Sequence, residues 1–288
     1  VSITPEKEPI PRLYVEHMKK MLEHGERIDG RGLLDYRSIR VILSPIEKAD
    51  GSALVKLGKT QVLVGVKLEL GSPYKDRPSE GVLQVHAEFV PLASPSFEPG
   101  PPDENAIELA RVIDRALREP RVVDLEKLVI EPAKLAWVVY NDIYLLDHAG
   151  NVTDASMLAS ILALATTKLP QLLKTEAGEY KIDRSAKAGA LPLKTLVVTV
   201  TLGIIGNAIL VDPTVEEEYL VDSIITIAVD ENGRICGIQK RGERGIERSV
   251  LNKAVDVAIE KGLWLIGYVK NILNNPEKYV SPLSDMGA

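Results

Sequence analysis

One cysteine, Cys236, in 288 residues excludes a disulfide within the chain and any zinc site built on paired cysteines. A chain this poor in thiols fits a reducing compartment. Excess positive charge is also missing: the formal net charge is −6, so no global basic field draws in nucleic acid, and any RNA contact must be local or shared with a more basic partner. Long hydrophobic runs are absent too. The longest, 196–205, is interrupted by Thr and Gly and falls short of the ~20 residues a membrane span needs. The opening residues 2–11 are proline-rich and polar rather than charged-then-apolar, so no secretory signal is expected. These absences point to a cytoplasmic protein with no membrane partner. The four histidines, His17, His24, His86 and His148, show no metal-ligand spacing, and there is no Gly-x-Ser-x-Gly, P-loop or dinucleotide fingerprint. Short-period repeats are lacking as well.

What is present is an ordinary globular composition, 45% apolar and 26% charged, long enough for one large or two modest domains. Residues 12–24 read as a short amphipathic helix with Val15, Met18, Met21 and Leu22 on one face and Gly25 as a left-handed stop. Segments 52–57 and 61–68 flank Gly58-Lys59-Thr60 as a hairpin, and 81–92 reads as a further strand. Asp103 stands as the N-cap of a helix over 104–118. A strand over 135–146 leads through a turn into an apolar helix over 152–169 that Pro170 closes, and the polar stretch 174–189 reads as a linker. The second half gives strands at 196–202, 208–211, 224–229 and 235–239. A helix over 246–273 follows, with Val250, Ala254, Val255, Ala258 and Ile259 as its buried stripe. Strands followed by a covering helix, twice, predict an α+β protein: an N-terminal arm and helix (1–25), two subdomains with mixed sheets packed on helices (26–182 and 183–275) and a C-terminal tail (276–288).

Four places could carry chemistry. His148 beside Asp147 forms a pair in a turn, with no activated nucleophile nearby in sequence, and reads as structural. Asn151-Val152-Thr153 matches a glycosylation sequon, which means little without a signal peptide. The same strand-to-helix turn is geometry that aims free backbone N–H groups at an anion. Here Asn151 is a good N-cap, and Asp154 three residues on can close a capping-box-like pair, placing a carboxylate where an anionic ligand would sit. No Lys or Arg occurs from Asp147 to Thr167. On the 104–118 helix, Glu104, Glu108, Arg111, Arg115 and Arg118 recur at spacings of four and three and share one face. That face is either solvated and laced by Glu108 and Asp114, or a guanidinium row offered to phosphates, for which arginine suits bidentate contact; spacing alone does not choose. The acidic run from Asp212 to Asp222, with Glu216, Glu217 and Glu218, is either an exposed turn between strands or a source of metal ligands or a general acid.

Several ordered motifs resemble the RNase PH family. Arg27-Ile28-Asp29-Gly30-Arg31 and the segment from Gly51 to Val62 are similar to its opening. Phe97-Glu98-Pro99-Gly100-Pro101-Pro102-Asp103-Glu104-Asn105, followed by Arg111-Val112-Ile113-Asp114-Arg115, resembles the non-catalytic RNase PH-like subunits of the archaeal exosome. The resemblance runs from about residue 12 to about residue 273. It implies two similar β-α-β-α subdomains and a hexameric ring, a trimer of heterodimers with a catalytic RNase PH-like subunit. It also implies RNA-binding cap proteins on the ring and 3′-to-5′ degradation of RNA by inorganic phosphate. Active members hold phosphate at a strand-to-helix turn carrying Gly-Gly, a hydroxyl residue and Arg. This sequence has Gly150-Asn151-Val152-Thr153 instead, and Ile224 falls where the family's catalytic aspartate stands. The resemblance therefore implies no catalytic residue, no cofactor and no metal. It implies RNA binding by Arg111 and Arg115, and the face they share makes Arg118 a third expected RNA-binding residue. The alternative is a phosphorolytic exoribonuclease active in its own right, using Glu218 or Asp222.

Overall fold

The structure, a computed structural model, describes residues 12–176 and 178–280; the proline-rich opening 2–11 and the end of the expected tail, 281–288, lie outside the described residues. The first half builds a six-stranded sheet from β1 (Ile39–Leu43), β2 (Gly51–Leu57), β3 (Thr60–Gly71), β4 (Val82–Phe89), β5 (Val129–Glu131) and β6 (Leu135–Asp147), in the order β1-β2-β3-β6-β4, with β5 also on β6. It is mixed as expected: every pairing is antiparallel except β4 with β6, and the chain between those two crosses over through α2 (Glu104–Arg118). The N-terminal helix α1 (Arg12–Glu23) buries Met18 and Leu22 and ends at Gly25, whose φ of +77° is the left-handed stop.

The second sheet comprises β9 (Val197–Ile205), β10 (Ala208–Val211), β11 (Ser223–Asp230) and β12 (Ile235–Arg241), ordered β10-β9-β11-β12. All its pairings are antiparallel, so only the first sheet is mixed: tight turns join β9 to β10 and β11 to β12, and the chain between β10 and β11 returns β11 antiparallel to β9. The helix α5 (Arg248–Asn274) lays Val250, Ala254, Ala258, Leu265, Ile266 and Val269 against this sheet. Between the sheets runs α3 (Val152–Thr166), buried from Thr153 to Leu164 on every side, as a helix apolar all round must be. One hydrophobic core therefore spans both halves.

Two expectations fail in the middle. The apolar helix stops at Thr166, not 169: the hydroxyls of Thr166 and Thr167 turn back onto the Ala163 carbonyl, and Thr167 is extended. The expected linker is instead a two-stranded ribbon of β7 (Lys168–Lys174) and β8 (Tyr180–Ala190). Pro170 sits within β7 at a break in its register, where its missing N–H costs no ladder bond. The expected boundary at 182/183 lies inside β8.

Candidate nucleic-acid interface and an occupied pocket

Asp103 caps α2 by accepting from the Ala106 N–H at 2.8 Å. The helix buries Ala106, Leu109, Ala110, Ile113, Ala116 and Leu117, which fixes what its other face presents. Arg111, Arg115 and Arg118 come together there, lining a groove of about 890 Å³ over the β4 edge that Tyr74, His86 and Tyr140 share. The three are not equivalent. Arg118 is half-buried, forks onto the Asp114 carboxylate and donates to the Leu83 carbonyl at 2.8 Å, and Asp114 raises its pKa further. Arg115 is exposed and donates to Gln239 Oε1 at 2.9 Å, while Gln239 donates to Glu108, which ties α2 to β12. Arg111 is exposed and, among the described residues, makes no hydrogen bond or ion pair. The groove's aromatic side chains carried no sequence signal, because Tyr74, His86 and Tyr140 reach it from three separate segments.

At the other end of the α2 face, β6 delivers the chain into α3 through Gly150 (φ +90°) and the left-handed cap Asn151 (φ +49°). Asn151 caps α3 as expected, though its oxygen takes the Asp154 N–H at a long 3.4 Å. The expected capping-box partner is wrong. Asp154 turns away into the core, where its carboxylate accepts from the hydroxyls of Tyr36, Thr199 and Thr201, the Thr201 N–H and the Asn151 amide. The group on the helix N-terminus is Glu218, whose Oε1 accepts from the Asn151 backbone N–H at 2.7 Å. Burial pushes Glu218's pKa up, against that hydrogen bond and the charges of Arg241 and Arg37.

Burial also raises Asp154, to about 6, despite its hydrogen bonds. The proton belongs on Oδ1, which faces two rotatable threonine hydroxyls that can accept it. With the folded value above the ordinary 3.8, the folded chain holds a proton that the unfolded chain releases between about pH 4 and 6. The stability from this group is complete below 3.8 and is lost as pH rises through about 6, on the order of 3 kcal/mol for a shift of about two pH units. Asp154→Asn, with its amide toward the same hydroxyls, should fold. Urea midpoints from pH 4 to 7 should show the wild type gaining on this variant as pH falls; parallel curves would mean Asp154 stays ionised.

The acidic run is not an exposed turn. Asp212 and Glu217 are buried and neutralised from the N-terminal segment. Arg27 forks onto Glu217, while Arg31 and Arg37 reach Asp212 at 3.1 and 2.7 Å. The helical turn α4 (Val215–Glu218) is fixed by a capping box between Thr214 and Glu217. Asp222 pairs with Arg244 at 2.8 Å and takes the Gly206 N–H. Among the described residues, no three His, Cys, Asp or Glu side chains gather where they could hold a metal. Ile224 is buried in β11 opposite Arg241, on the strand face that also carries Thr226. Thr226, Phe97, Asn105, His148, Glu218 and Arg241 line a cavity of about 200 Å³. His148 packs tilted against Phe97 with ring centres 5.5 Å apart, and burial followed by the charge of Arg37 depresses its pKa, which favours the neutral ring.

Residues 35–170 match domain 1 of the 3′ exoribonuclease family, RNase PH, and residues 195–261 match its domain 2. The chain belongs to the RNase PH family. Between the family's two domains falls most of the β7–β8 ribbon. An Aeropyrum pernix protein named exosome complex component Rrp42 is 51% identical over 261 residues, covering 90% of this chain and 95% of its own. The Methanopyrus kandleri protein of the same name is 49% identical over 239 residues, covering 82% and 88%. A chain of the Archaeoglobus fulgidus exosome with RNA bound to the active site matches with a TM-score of 0.80 at 46% identity, over 89% of this chain and 97% of that one. Rice Rrp46, at 16% identity and a TM-score of 0.63, shares the fold. The expected RNase PH-like α+β architecture is thus the family's own. No helix among the described residues is long and apolar enough to cross a membrane.

Proposed function

We propose that this RNase PH-family chain is a non-catalytic subunit of an exosome-type ring that degrades RNA from the 3′ end. It helps shape the active site of a catalytic RNase PH-like partner and offers Arg111 and Arg115 to RNA phosphates, with Arg118 holding the groove wall. The observation that carries this reading is the contrast between two sites. The α2 groove presents an exposed, unpaired guanidinium beside a second one, which is a phosphate-binding arrangement. The α3 turn, where the family's phosphate would bind, is filled by Glu218. The names of the relatives support membership of an exosome complex; the family resemblance supports the ring, the cap proteins, a trimer of heterodimers and a cytoplasmic setting. Glu218 as a general acid gains no support, since its carboxylate faces a backbone N–H and no vacant phosphate seat.

The purified chain alone should release no nucleoside diphosphate from RNA in phosphate buffer. Co-expressed with a catalytic homologue, it should form a one-to-one complex by mass measurement that does. Asp222→Asn in that complex should keep activity within about twofold, because Asp222 serves a surface turn with Arg244; a loss of about a hundredfold, typical of a missing general acid, would restore the enzyme reading.

A further inference from the structure

We infer that the sheet-side wall of the α2 groove seats nucleobases: Tyr74 and Tyr140 take the faces of unpaired bases, while Asp142 and His86 meet their edges. The inference rests on the proposed RNA binding through Arg111 and Arg115. It adds what guanidinium groups alone do not decide, the orientation of the strand and its single-strandedness. The two walls of the groove differ in kind. On the α2 side stand three arginines, Arg111 and Arg115 exposed and Arg118 held by Asp114. On the other side β6 alternates, burying Val139, Asn141 and Ile143 in the core and turning Tyr140 and Asp142 away from it. The parallel register sets His86 of β4 beside Asp142, and the antiparallel register sets Gly65 of β3 on its other flank. A Cβ on Gly65 would meet nothing within 4 Å, so the face is open next to the carboxylate. Tyr74, 47% exposed between β3 and β4, completes this wall.

This wall carries more hydrogen-bonding capacity than the chain uses. Among the described residues, the side chains of Tyr74, His86, Tyr140 and Asp142 make no hydrogen bond or ion pair. Burial raises the pKa of Asp142, against the charge of His86, so its carboxyl is partly desolvated without being paired. Free polar groups converging in a concave, aromatic setting are the signature of a binding site. Charge then decides which part of the ligand faces which wall. A carboxylate repels phosphate and accepts from base N–H groups, so a bound strand lays its backbone on α2 and turns its bases to the sheet. A tyrosine ring stacks on the flat face of any base, so the seat tolerates any sequence. In an A-form duplex the faces are covered by neighbouring bases and the edges are spent on pairing. The groove therefore takes single-stranded RNA.

The test is RNA affinity of the complex with the catalytic homologue, in phosphate-free buffer so that RNA is bound and not consumed. Tyr74→Ala should weaken single-stranded RNA about fivefold or more, the lower end of what one stacked base contributes. Tyr74→Phe keeps the ring and should bind as the wild type does. No cation is lost in either variant, so the dependence on salt should keep its slope, unlike that of the arginine variants. An abasic oligonucleotide with the same phosphates should not distinguish Tyr74→Ala from the wild type, and neither should a duplex. Tyr140→Leu, which keeps apolar cover on β6, puts the second ring to the same comparison. Wild-type affinity in both Tyr74→Ala and Tyr140→Leu would overturn the inference, as would an equal loss on abasic RNA. So would a Tyr74→Ala chain that folds but no longer joins the complex, which would make this wall a protein interface. If changing Arg111 and Arg115 to glutamate weakens binding while the tyrosine variants do not, the base seat falls and the RNA reading stands; if neither change matters, both fall.

Discussion

Changing Arg111 and Arg115 together to glutamate should weaken RNA binding by the assembled ring at least about tenfold and flatten its dependence on salt. Each guanidinium–phosphate contact is a charge-assisted hydrogen bond worth about 1.5–3 kcal/mol, so two lost contacts reach that factor even after partial compensation. Each single-strand phosphate contact contributes about 0.7 to the slope of log affinity against log salt, so the double variant should be shallower by about 1.4. The competing explanation is that arginines in the last turns of α2 only complement the helix dipole, a benefit of about 0.3–1 kcal/mol. The structure separates the two more sharply than spacing could. Arg118 already occupies the dipole position with a bonded, half-buried guanidinium, whereas Arg111 is exposed and bound to nothing among the described residues. Arg111→Glu should therefore leave the melting temperature nearly unchanged, and Arg118→Ala should lower it through the loss of Asp114 and the Leu83 carbonyl. The measurement is RNA affinity at several salt concentrations, after light scattering confirms intact rings. Long substrates should suffer more than short ones confined to the partner's active site. An unaltered slope with a lowered melting temperature would return both arginines to a structural role.

The helix that carries these arginines was legible because every signal for it is local. Asp103 caps, three-and-four spacing sets its faces, and the structure begins and ends it at Glu104 and Arg118. The α3 turn misled for the complementary reason. Asn151 and Asp154 have capping spacing, but three donors from β9, more than forty residues on, claim the Asp154 carboxylate, and α4 supplies the replacement. No window of sequence contains that competition. The ribbon was missed because Pro170 after an apolar run imitates a helix stop and because 174–189 is polar; its strands pair only with each other, and their exposed residues leave no alternation to read. Arg27-Ile28-Asp29-Gly30-Arg31 was conspicuous as a motif, yet its work lies with Asp212 and Glu217 more than 180 residues away. The acidic run looked like a solvated turn because those three arginines, Arg27, Arg31 and Arg37, are invisible from its own segment.

Arg27→Met should cost the fold about 3–5 kcal/mol, far more than losing a surface pair, because it strands a buried carboxylate. The Arg27 side chain is 0% exposed and donates to five acceptors: both oxygens of Glu217, the carbonyls of Val211 and Asp212 and, at a longer 3.4 Å, that of Asp35. Methionine replaces the volume and none of the donors. Glu217 would keep only the Thr214 N–H at 2.8 Å, the Val211 carbonyl would lose its Arg27 donor, and the Asp212 carbonyl would keep only the longer contacts from Arg31 at 3.3 and 3.4 Å. Arg121→Ala provides the contrast: that arginine is 63% exposed in its pair with Glu126, and its loss should cost less than about 1 kcal/mol. Adding Glu217→Leu to Arg27→Met should recover part of the loss, since removing both charges removes the stranded one; the remainder belongs to the carbonyls and the capping box. Urea unfolding followed by tryptophan fluorescence measures all three, with Trp137 buried in β6 reporting on the first sheet and Trp264, half-exposed on α5 and stacked on Tyr36, reporting on the junction of the two halves. Because α3 carries one core through both sheets, the two signals should still move together in Arg27→Met. A loss no larger than that of Arg121→Ala would mean that the N-terminal segment rests on the second half without holding it.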